Sequence, residues 1–286
     1  MSSIDIEGDV AGTTPPASAE TIVGLPKAAP FNAICLLVAN SSGQTNKRTK
    51  PGTGYVVQAK NGGLAVITAG HVLVDRSLGI DATRDPGSLE VNAGTYVKEG
   101  QNGQQPQLVS ISPRLKAASC VVHEKFDPDP ANPAGILTDI GIIFLASTPA
   151  LVGPPLRWAE DKGNLPKSPV PAKNYSVIGH NAGKFGDRVW LARQRMIRIS
   201  PVPVTDPGIF AYTTSSTHLG PGQSGAPVMI GWSSNPADMK ATTVYGHHLK
   251  SSVKAAEAGP DSTPTAWFGA MRYTSKIAAW LVSKGL

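Results

Sequence analysis

The feature that most constrains this chain is a succession of short apolar runs, each closed by Gly, Pro, Asn or Ser. They fall at Ala33–Ala39, Gly54–Gln58, Leu64–Thr68, Leu89–Val91, Leu108–Ile111, Ala118–Val122 and Ile140–Leu145. Runs this short and this rich in Val, Ile and Leu read as the strands of an all-β barrel or sandwich. A proline-rich stretch from Thr148 to Lys173 interrupts them, and they resume at Tyr175–Gly179, Val189–Ile199, Ile209–Thr213, Pro227–Ile230, Thr242–Tyr245 and Trp267–Met271. The chain therefore divides into a flexible leader (1–21), an N-terminal β half (22–150), a connector (151–172) and a C-terminal β half (173–286). One helix is predicted, at the end. Tyr273, Ile277, Trp280 and Leu281 share a helical face, with Thr274 or Ser275 as N-cap.

Composition removes several function classes. Only 16% of the 286 residues are charged, which is too few for a disordered polyelectrolyte. The net charge of +6 invites a nucleic-acid reading, but the positive residues cluster only at Lys47–Lys50 and Arg193–Arg198. No nucleic-acid partner is expected. No apolar run approaches the length of a membrane span, and the first residues show neither a basic nor an apolar signal region. The two cysteines, Cys35 and Cys120, lack zinc spacing and read as buried small hydrophobes. No metal or other cofactor is expected.

Three segments carry chemistry, and each borders a predicted strand. VITAGHV places His71 after a strand, TDIGIIFL places Asp139 before one, and GPGQSGAPV sets Ser224 among glycines before another. A serine hydroxyl needs a base to become a nucleophile, and histidine titrates in the right range. A carboxylate fixes the imidazole tautomer and stabilises the imidazolium. Glycines at 222 and 225 permit a tight turn whose amides can converge on an oxyanion. The order His, Asp, Ser excludes an α/β-hydrolase, whose serine comes first and lies in GxSxG. Here position 226 is Ala.

These segments resemble the chymotrypsin/trypsin-like serine proteases. The likeness extends to IVG at 22–24, GTGYVV at 52–57, CVVHEKFDPD at 120–129, the connector with the strand that follows it at 154–180, and GAMRYTSKIAAWL at 269–281. It implies two antiparallel six-stranded barrels, a C-terminal helix, and an active site between the barrels. It further implies His71 as general base, Asp139 as its orienter, Ser224 as nucleophile and the amides of Gly222 and Ser224 as oxyanion hole. The expected activity is a monomeric serine endopeptidase acting on protein or peptide substrates.

Three departures stand out: Gln223 where many relatives carry an aspartate, Thr21 rather than Lys or Arg before Ile22, and Val72 after the histidine. By the same likeness His218 falls at the base of the specificity pocket. His248 falls where glutamyl endopeptidases place a histidine. His123, His180 and His247 read as structural. The alternatives are a non-catalytic protease-like binding module and a viral-type polyprotein-processing protease.

Overall fold

A computed structural model describes residues 21–23, 29–41, 48–98, 107–111, 114–128, 133–146, 154–166, 174–185, 189–202, 206–214, 222–231, 235–238, 242–253 and 267–286. Twelve strands build two barrels. The first uses β1 (Ile34–Asn40), β2 (Thr49–Gln58), β3 (Leu64–Thr68), β4 (Leu89–Ala93), β5 (Ala117–Val122) and β6 (Gly141–Leu145). They pair antiparallel in the order β5–β6–β3–β2–β1–β4. A bridge between Val91 and Leu115 ties the two ends of this sheet, with the Leu115 N–H donating to the Val91 carbonyl at 2.9 Å.

The second barrel uses β7 (Tyr175–Phe185), β8 (Val189–Pro201), β9 (Ile209–Thr213), β10 (Pro227–Ile230), β11 (Thr243–Val253) and β12 (Trp267–Arg272). The order is β8–β7–β10–β11–β12–β9, and β9 pairs back onto β8, so the ring closes. Closure removes exposed strand edges. The chain thus has the all-β architecture expected from its short apolar runs, arranged in the two barrels that the resemblance implies.

Strand burial explains the sequence pattern. All five residues of β3 are buried, so Leu64–Thr68 reads as a continuous apolar run rather than an alternation. In β4 one face meets solvent, and burial alternates along Leu89–Ala93. The second core is aromatic. Tyr212 stacks on Phe268 at 5.8 Å between ring centroids and meets Phe210 at 5.7 Å. Cys35 and Cys120 are both free and buried, and burial pushes the Cys120 thiol up to about 12. These are packing thiols, as expected.

The connector stitches the barrels together. The Leu156 N–H donates to the Val56 carbonyl of β2, while the Arg157 and Ala159 N–H groups donate to the carbonyls of Thr242 and Val244. Arg272 locks this segment from inside: its guanidinium reaches the buried Asp161 carboxylate at 3.0 Å and the carbonyls of Ile209 and Pro166. The C-terminal helix, Ser275–Ser283, buries Ile277, Ala278, Trp280 and Leu281. Its Trp280 Nε1–H donates to Glu124 of the first barrel at 2.8 Å. Thr274 occupies the N-cap position without a side-chain capping bond.

Two local features differ from the sequence reading. Residues 70–73 form one helical turn, and Thr21–Val23 form a strand paired with β8 at Arg195–Ile197. Four residues show no helical period, so the turn has no signal to read, whereas the strand begins at Thr21, one residue inside the stretch read as leader, and continues into the IVG segment.

Candidate active site

The site is assembled where the end of β3, the start of β6 and the middle of β11 meet the turn before β10. β3 stops at Thr68 and the helical turn Gly70–Leu73 carries His71. That turn is anchored by Val72 and Leu73, both fully buried. Leu73 packs over Gly141, where any Cβ would lie 2.6 Å from its Cδ1. Asp139 arrives from the other side, between the 3₁₀ segment Pro133–Thr138 and β6.

Asp139 holds His71 at two points. One carboxylate oxygen accepts the His71 backbone N–H at 2.8 Å, and the other accepts Nδ1–H at 2.6 Å. This fixes the tautomer and leaves Nε2 as the basic nitrogen. Asp139 is 4% exposed. Burial pushes its carboxyl up, but the charge of His71 and the two hydrogen bonds outweigh that and hold it below its ordinary value.

The Ser224 turn is strapped to β2. The Thr53 N–H donates to the Ser224 carbonyl at 2.8 Å, and the Thr53 hydroxyl donates to the Gly222 carbonyl at 2.6 Å. With both carbonyls tied back, the Gly222 and Ser224 N–H groups make no protein hydrogen bond among the described residues. Gly222 and Gly225 both have positive φ, 91° and 85°. Gly225 has a second reason to be glycine: a Cβ there would lie 2.2 Å from the Thr53 carbonyl oxygen and 2.9 Å from the Ala69 nitrogen. The turn therefore lies directly against the segment that leads into His71. The Ser224 hydroxyl donates to the Leu249 carbonyl at 3.3 Å, and no Ser224–His71 hydrogen bond is formed among the described residues.

Of the specificity candidates, His248 is buried on β11, with Nδ1 at 2.5 Å from the Tyr212 hydroxyl. Its main chain bonds both Gly225 and Ala226, so it sits directly behind the Ser224 turn. His218 lies outside the described residues. Gln223 is fully buried with its amide packed over Gly179, and that amide has no hydrogen-bond partner among the described residues.

The sequence reading missed four residues that build this region. Thr53 and Thr68 form the strap, since the Thr68 hydroxyl donates to the Thr53 carbonyl at 2.7 Å. Tyr273 and His247 lie behind Asp139, with His247 Nε2 at 2.9 Å from the Asp139 carbonyl. The sole signal available was that His247 stands two residues past the apolar run Thr242–Tyr245, which is equally the place of a packing histidine.

The fold and this arrangement define a class: the chain has the chymotrypsin-like serine protease fold. No protein family model matches it, and no curated protein matches it in sequence. Solved structures do. A Glu endopeptidase is similar at 13% identity and a TM-score of 0.54, covering 93% of this chain and 96% of that one. A scabies mite inactivated protease paralogue is similar at 12% and 0.53, covering 88% and 93%. Human heparin binding protein is similar at 15% and 0.54, covering 92% and 94%. At these identities the likeness establishes the fold, and activity has to be argued from the site.

Three buried histidines give this region a pH signature. Burial pushes His180 and His248 down to about 3 and His247 down to about 4, from an ordinary 6.5. The folded chain holds them neutral, while the unfolded chain protonates them below their ordinary value. Near the middle of that interval unfolding therefore takes up close to three protons at these groups, and stability falls as pH falls from 6.5 toward 4. The urea midpoint should drop steeply between pH 7 and pH 5. A midpoint that is flat or rises over that interval contradicts the burial of these neutral imidazoles.

Proposed function

We propose that the chain is a serine endopeptidase in which Ser224 is the nucleophile, His71 the general base and Asp139 its orienter. One observation carries the reading: Asp139 grips His71 at both Nδ1 and the backbone N–H, beside a glycine-flanked serine turn. In this mechanism Ser224 Oγ attacks the scissile carbonyl carbon as its proton passes to His71 Nε2. The oxyanion is met by the Gly222 and Ser224 amides. The C–N bond breaks as His71 returns the proton to the leaving amine, and water then hydrolyses the acyl-enzyme by the same route.

The bond from Ser224 to the Leu249 carbonyl favours the second reading, a protease-like binding module. Catalytic hydrogen bonds in unliganded sites are often loose and tighten when substrate is bound, so that bond does not exclude turnover. Replacing Ser224 decides between the two. Ser224→Ala should leave urea unfolding nearly unchanged and reduce peptide turnover on the order of 10⁶-fold, and Asp139→Asn should cost about 10⁴-fold. Turnover undiminished in Ser224→Ala would end the serine-protease reading.

Substrate preference is proposed for acidic side chains before the scissile bond. A carboxylate entering a pocket loses hydration and needs donors. His248 is neutral, and the Tyr212 phenol, held protonated by burial, supplies the proton of their shared bond. That leaves the opposite ring nitrogen, Nε2, as a donor. His218 is proposed as its companion. A peptide library varied at that position should rank Glu or Asp above Lys and Arg. Leu, Phe or Ala ranking first would overturn the histidine assignment and leave the protease reading standing.

A further inference from the structure

His247 is fully buried and bonded at both ring nitrogens. Nε2 lies 2.9 Å from the Asp139 main-chain carbonyl, and Nδ1 lies 3.0 Å from the Tyr273 hydroxyl. The Tyr273 hydroxyl in turn meets the Tyr55 hydroxyl at 2.5 Å. All three side chains are shielded from solvent.

Chemistry fixes the direction of this chain. A carbonyl oxygen can only accept, so Nε2 must carry hydrogen. The imidazole is neutral, because burial pushes it down to about 4, so Nδ1 is bare and must accept. Tyr273 therefore donates to His247. Its one proton is then used, and Tyr55 must donate to Tyr273. The order runs Tyr55 to Tyr273 to His247 to the Asp139 carbonyl, with every donor matched to an acceptor.

The far end of this chain is the residue that orients His71. Asp139 gives its carboxylate to His71, while its own amide makes a long 3.4 Å bond to the Ile136 carbonyl. The peptide unit after Asp139 is held at both ends, its carbonyl by His247 and its Ile140 N–H by the Thr138 carbonyl at 2.8 Å. Tyr55 comes from β2 of the first barrel, His247 from β11, and Tyr273 from the residue after β12. The hydrogen-bonded chain consequently links β2 of the first barrel to Asp139 through residues of the second.

We infer that His247 is a positioning residue for Asp139, set in its working tautomer by Tyr273 and Tyr55. The inference rests on the protease reading above. A buried carbonyl deprived of its donor either pays the desolvation penalty or rotates toward another donor, and rotation carries the carboxylate away from His71. A misplacement of about 1 Å can cost on the order of 10²-fold in rate.

The test uses the full chain with His247→Leu and His247→Gln, followed by turnover kinetics and the downfield proton resonance of the short His71 Nδ1–H bond. The glutamine amide can still donate to the Asp139 carbonyl and accept from Tyr273. His247→Leu should lower kcat by about 10- to 100-fold with KM within about threefold, and should broaden or remove the resonance. His247→Gln should recover most of kcat and keep the resonance. A folded His247→Leu variant with unchanged kcat and resonance overturns the inference.

Should His247→Leu fail to fold, Tyr273→Phe and Tyr55→Phe decide. The direction of the chain requires the larger loss in Tyr273→Phe, because Tyr55→Phe leaves Tyr273 still donating to His247. Equal losses, or none, contradict it. If the wild-type chain cleaves no peptide, the protease reading fails, and the resonance across the same variants still decides whether His247 holds Asp139.

Discussion

A carboxylate taken out of water must be met by donors on every side, and the region between the barrels is organised around meeting that need for Asp139. His71 supplies two of the donors, one from its ring and one from its backbone. Neither would be in place without the helical turn at 70–73. That turn is held by the packing of Leu73 over Gly141, at the start of the strand that follows Asp139 itself. The His71 turn and the start of the strand after Asp139 are therefore joined by one local piece of packing. Behind them, His247 and two tyrosines occupy a space that an apolar core would otherwise fill. Every group in that chain has a partner, which is the condition under which buried polar networks add definition rather than cost.

The serine turn depends on a different constraint, the close approach of two backbones. Gly225 lies so near Thr53, Thr68 and Ala69 that no side chain could be placed there. The two threonines convert that closeness into direction, turning the carbonyls of 222 and 224 toward β2. The first barrel thereby sets the conformation of a turn that belongs to the second. The same division recurs in the connector, where Leu156 bonds β2 while Arg157 and Ala159 flank β11. The two barrels meet at an interface in which the site residues are among the contacts.

Much of this was legible in the sequence, for identifiable reasons. The ends of β3, β9 and β10 coincide with the runs read from the sequence, because Gly, Thr or Pro stands at their boundaries. β7 and β11 run on well past the apolar segments that announced them, to Phe185 and Val253. Their later residues are mostly polar or small, with apolar residues only singly, so pairing with neighbouring strands reveals them. The proximity of His71 and Asp139, 68 positions apart, was inferred from motif order and resemblance, and the structure brings them together. Thr53, Tyr55, His247 and Tyr273 carried no comparable signal. They act through contacts with residues far away in sequence, such as the 218-residue separation of Tyr55 and Tyr273. Such a contact depends on the packed interface and leaves no periodicity or spacing to read.

The fold is shared by proteins described as a Glu endopeptidase and as an inactivated protease paralogue, so architecture leaves the chemistry to be tested at one atom. The most direct measurement is reaction of the folded chain with a peptidyl phosphonate that traps activated serines, followed by mass mapping of the adduct. The account predicts a single adduct on the peptide containing Ser224, absent in the unfolded chain. A folded chain that takes up no phosphonate, or takes it up at another serine, would contradict it.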